Sequence, residues 1–143
     1  MNKDIRKAVA VIRNSPALDD AAIYKMLVAE GVEPQSAGRL VIFLPMVYCR
    51  LLLANSGARF SDKYQSALSD GTVSPVQRLT NESLWNESME FAKAEIKGGL
   101  SGQDLLIIAG HSAEFHAANQ LLEGGSKLGN IAFDAPVIRW PEL

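Results

Sequence analysis

Apolar residues recur along most of this chain at three- and four-residue spacing, which is the period of a helix with one buried face. Ile5, Val9 and Ile12 predict a first helix over residues 3–14, ended by Ser15-Pro16. Asp19 or Asp20 is placed to cap a second helix, with Ile23, Met26 and Leu27 inward and Glu30-Gly31 as the stop. The longest apolar run follows, from Arg39 to Leu53. It reads as a central helix starting at Pro34 and ending near residue 56, before Gly57, apolar nearly all round and therefore buried. Pro45 lies inside it and predicts a kink between Val41 and Pro45.

The second half repeats the pattern. Phe60, Tyr64 and Leu68 suggest a short helix within 58–74, then a turn at Ser69-Asp70-Gly71. Ser74-Pro75-Val76-Gln77 resembles a capping box, so 75–97 is read as one helix or two. Its main element is 81–97, with Trp85, Met89, Ala92 and Ile96 inward and Asn86, Glu90, Lys93 and Lys97 toward water. Ser101 opens a helix expected to run unbroken to Glu123, with Gly110 inside it and His111, Phe115, Ala118 and Leu122 on one face. Residues 131–143 hold two prolines, and we expect an extended tail packed on the bundle. The expectation is an all-α, single-domain helical bundle of five or six helices over 1–143, built around the central helix.

Composition narrows the function classes. Of 143 residues, 48% are hydrophobic and 21% charged, as in ordinary globular domains. A net charge of −2 gives no basic footprint for nucleic acid. The uncharged run Leu40–Cys49 is about half of what a bilayer requires, so no membrane span is expected. Cys49 is the only cysteine, which forbids an intrachain disulfide and fits a reducing compartment. The N-terminal residues lack a signal-peptide core, and a cytoplasmic location is expected.

Chemistry-bearing motifs are few. Leu105–Phe115 contains Gly110-His111-Ser112, which resembles the nucleophile elbow of α/β-hydrolases. Glu114 stands where that elbow needs glycine, and only His116 follows as a base, too close in sequence. A small serine hydrolase using Ser112 and His116 is the enzymatic alternative. His111 and His116 are five apart, off the spacing that aligns helical metal ligands, so neither a metal nor a cofactor is expected.

Arg39 and Arg50 lie eleven residues apart, close to three helical turns and about 16 Å, with Phe43 and Met46 between them. Each arginine can pair with a carboxylate of a neighbouring helix. Together Arg39, Phe43, Met46 and Arg50 can instead form a partner-binding stripe, in which case Arg50→Glu should abolish binding without unfolding the chain.

Arg39-Leu-Val-x-Phe43-x-Pro45-x-x-x-x-Arg50-x-Leu-Leu53, followed by Phe60 and Tyr64, resembles small helical bacterial proteins encoded beside secreted toxins, some of them immunity proteins. The resemblance covers about 26 residues of 143. It implies a cytosolic protein that binds and blocks one partner protein, a toxin or effector, and catalyses nothing. A helical protein that self-associates through its apolar faces is the remaining alternative.

Overall fold

The computed structural model describes residues 2–54 and 83–125. Among them it contains six α-helices and no strand: α1 (Lys3–Asn14), α2 (Asp20–Ala29), α3 (Pro34–Ala54), α4 (Ser83–Lys97), α5 (Gly102–Ala109) and α6 (Ala113–Glu123). The fold is all-α, as the periodicity predicts. The expected elements over 58–74 and 75–82, the end of the central helix at 55–56 and the tail over 131–143 lie outside the described residues.

Short polar side chains set the helix starts. The Asn2 side chain accepts the Asp4 N–H at 2.9 Å, and Asp19 rather than Asp20 caps α2, accepting the Ala22 N–H at 2.9 Å. Ser101 does the same for α5 through the Asp104 N–H at 3.1 Å. Such caps each stabilise a helix by about 1 kcal/mol. Asp4 in the first turn of α1 and Arg13 in its last oppose the helix dipole at both ends.

α3 touches every other described helix. Leu40, Phe43, Leu44, Val47, Tyr48, Cys49 and Leu52 are all fully buried along it, with Ala37 and Val41 beside them. No other helix is covered on so many sides, which is why its sequence is apolar nearly all round. The helix is continuous through Pro45 to Ala54. α1 and α2 cover it with Ile5, Ile12, Ile23 and Leu27, and α4 and α5 with Trp85, Ala92, Leu105 and Ile108. Each such large side chain contributes about 1.5–3 kcal/mol relative to exposure. Met26 departs from expectation: it is exposed on α2 rather than inward.

The region 102–123 is two helices, not one. α5 stops at Ala109, and Ser112 starts α6 by accepting the Phe115 N–H on its hydroxyl at 3.3 Å. A short side chain that can satisfy an N–H of the next turn favours a cap over a helix interior. Gly110 sits at the break with φ −64°. A Cβ there would lie 2.8 Å from the Leu106 carbonyl oxygen, closer than real contacts allow. Helix propensity alone says that Gly110→Ala stabilises by about 1 kcal/mol. The clash with backbone reverses the sign, and we expect Gly110→Ala to cost about 1–3 kcal/mol. Urea unfolding checks this: an unchanged or raised midpoint would show that the break tolerates a side chain.

Candidate functional site

The four residues of the α3 stripe do not form one surface. Phe43 is fully buried, edge-on to the Trp85 ring with centroids 5.4 Å apart and planes at 90°. Arg50 is 1% exposed. Its guanidinium donates twice to Glu114 on α6, from Nε at 3.2 Å and Nη2 at 2.8 Å. Arg39 is half-buried, and Met46, also half-buried, packs against the core. A partner therefore cannot touch Phe43 or Arg50 directly. The pairing of Arg50 with a neighbouring helix's carboxylate is the arrangement found.

Glu114 is thus a clamp that fastens α6 to α3, and it occupies the place where a hydrolase elbow carries glycine. Ser112 beside it is 3% exposed, and its hydroxyl is occupied as the α6 cap. Ser112→Ala should cost about 1 kcal/mol through the lost cap. Calorimetry measures this, and a loss below a few tenths would mean that the cap contributes nothing.

Cys49 is fully buried on α3. Burial pushes its thiol up to about 12, the Glu114 carboxylate adds to the rise, and the Ser112 hydroxyl and Arg50 work against it. The thiolate is the reactive form, so at pH 8 the native chain should alkylate about 10³-fold more slowly than free cysteine on thiolate fraction alone. The native rate should keep rising about tenfold per pH unit where free cysteine has levelled off. Iodoacetamide labelling followed by mass spectrometry measures both. Labelling at the free-cysteine rate would mean the thiol is not interior.

A second buried polar pair joins α3 to α4: the Tyr48 hydroxyl donates to Glu95 Oε1 at 2.7 Å. Burial and this carboxylate both push the phenol above its ordinary range. Arg13 on α1 bonds Asp104 on α5 at 2.8 Å nearby. Each pair crosses between helices far apart in sequence, and no motif announces it.

The two histidines come together in a hollow between the α1–α2 and α5–α6 turns, with Pro16, Asp19 and Asp20 on the facing side. His111 is half-buried in the α5–α6 turn, not on a helix face. Burial holds its imidazole below its usual pKa, while Asp20 pulls the other way. Burial likewise raises the Asp20 carboxyl, with His111 opposing. His116 stacks edge-on to Phe115 at 5.7 Å. Among the described residues no three His, Cys, Asp or Glu side chains are placed to hold a metal ion. No described helix is long and apolar enough to cross a membrane.

A larger cleft, of 780 Å³, opens between the start of α1 and the outer face of α4. It is lined by the buried Ile5 and Phe91, by the exposed Ala94, and by Asn2, Asn86, Glu87 and Glu90. Across it Asn2 Nδ2 donates to Glu87 at 3.0 Å. α1 and α4 each pack more closely on α3 than on each other, and the trough lies between them. Its two walls are more than eighty residues apart in sequence, so no local pattern could reveal it.

No family model matches this chain, and neither the curated proteins nor the solved structures contain a significant match to it.

Proposed function

We propose that this chain is a protein-binding module without catalytic activity of its own, and that it serves in the cytoplasm as an immunity-type inhibitor of a toxin or effector protein. The observation that carries this reading is the α1/α4 cleft, a concave trough lined by Asn2, Asn86, Glu87, Glu90 and Ala94 above the buried Ile5 and Phe91. Concave surface of this kind is where ligands and partners bind. The interior supports the same reading from the other side. Of the groups best suited to chemistry by type, Ser112 caps α6, Arg50 is paired with Glu114 and Cys49 is buried in the core.

Affinity capture of the tagged chain from its native cells, with mass spectrometry, is the test. A single stoichiometric partner whose own activity falls when this chain is added back supports the inhibitor. A clean preparation with no stoichiometric partner overturns it. Turnover of an ester panel that disappears in Ser112→Ala would establish the hydrolase in its place.

A further inference from the structure

We propose that the α5–α6 turn is an acid-sensitive latch, in which protonation of His111 in the hollow facing α2 frees α6 from α3. The latch belongs to the fold and operates with or without a partner.

His111 Nε2 is fully covered and has no hydrogen-bond partner among the described residues. A neutral ring can leave that nitrogen bare, with its proton on the other one. A protonated ring cannot, because both nitrogens then carry N–H groups and a buried, charged donor goes unmatched. Acid therefore sets the ring against its place in the fold. The groups around the hollow pull in different directions. Asp19 and Asp20 face the ring from the start of α2, and Asp20 attracts the imidazolium. His116 on α6 opposes it, and Pro16 and Ala21 bring no charge. Burial, joined by His116, outweighs Asp20 and holds the imidazole below its ordinary value of about 6.5. Asp20 is also a weakened counter-charge, since burial raises its carboxyl and it gives up its charge early on acidification. A histidine held low in the folded state contributes stability above about pH 6.5 and loses it as the pH falls through the folded value.

The strain falls on the residues that fasten α6. The His111 N–H bonds to the Ile108 carbonyl at 3.2 Å, and the Ser112 N–H to that of Ala109 at 2.9 Å. Ser112 caps α6 with its hydroxyl, and Glu114 two residues on holds Arg50. Carrying the ring into water disturbs this turn, and with it the cap and the ion pair. α6 has little else to hold it, since α3 is the described helix on which it chiefly packs.

Amide hydrogen exchange on the full chain, corrected for the intrinsic rate at each pH, measures the opening. From pH 7.5 to 5.5 the opening of α6 should rise severalfold, within a ceiling of about tenfold per pH unit for one proton taken up. The Phe115 N–H, received by Ser112, reports the cap directly. Amides of α1 and α3 should not share the rise. His111→Gln should abolish it, and His116→Gln should keep most of it. Asp20→Asn should enlarge it, because the ring loses its counter-charge. The latch is overturned by a flat response in the wild-type chain, by an undiminished rise in His111→Gln, or by equal loss of protection in all helices, which is general acid unfolding. If His111→Gln does not fold, the wild-type ring protons decide: a His111 titration midpoint at or above the ordinary histidine value overturns the latch.

Discussion

Glu114→Ala should destabilise the chain by about 3–5 kcal/mol, enough to leave a typical domain marginal or unfolded at 37 °C. The reason lies in the asymmetry of the pair. Arg50 is 1% exposed, whereas the Glu114 side chain keeps 18% of its surface in contact with solvent. Removing Glu114 leaves the guanidinium inside the core without the carboxylate that receives two of its N–H groups. Arg50→Met leaves a carboxylate that still reaches water, so it should cost less. Arg50→Met/Glu114→Leu removes both charges and should recover most of the loss, because well-packed apolar residues replace a buried ion pair at little or no cost. Denaturant unfolding of the four proteins completes the cycle. A Glu114→Ala loss within 1 kcal/mol of zero would mean that the pair does not hold α6 to α3. Arg50→Glu is likewise no fold-neutral probe of binding, contrary to what sequence alone suggests, since it would set two carboxylates against each other at a buried position.

Trp85→Ala and Phe43→Ala should each cost about 3–5 kcal/mol, the range for truncating a fully buried aromatic. Trp85 is the largest side chain buried in the described core, and it meets Phe43 edge-on at 5.4 Å between α4 and α3. The favourable alignment of ring edge with ring face adds about 0.5–1.5 kcal/mol beyond area, which the double-alanine cycle isolates. If the two losses simply add, the rings contribute only by area. If either variant unfolds outright, Phe43→Leu and Trp85→Phe keep volume and report the same coupling on a smaller scale.

Helix identity was legible in this chain because it depends on local period. Ile5, Val9 and Ile12 face inward as their spacing says, and α3 is buried on most sides as its apolar run says, with a half-buried stripe through Arg39, Ile42 and Met46. Caps were legible for the same reason, down to the ambiguity between Asp19 and Asp20 that only geometry resolves. The break at Gly110–Ser112 was not, because a helix interior and a capped restart use the same residues there. The Ser112 hydroxyl, which takes the Phe115 N–H and starts α6, shows which of the two is realised. Arg39, Phe43, Met46 and Arg50 share a helical spacing in the sequence but not one surface, since Phe43 and Arg50 are buried. Nothing local says that Phe43 faces Trp85 or that Arg50 faces Glu114. The cleft was invisible for a stronger reason: Asn2 and Ile5 acquire meaning only beside Glu87 and Phe91.

The placement of α3 also orders events on the ribosome. This helix is synthesised before Trp85, Glu95 and Glu114, the residues that cover its ring, its phenol and its guanidinium. A nascent chain that has just released α3 therefore carries a long apolar rod with Arg50 set in its buried side and much of its cover still untranslated. That interval is where chaperone capture and aggregation compete for the chain. It draws toward its close when the α6 carboxylate emerges to take two of the Arg50 N–H groups.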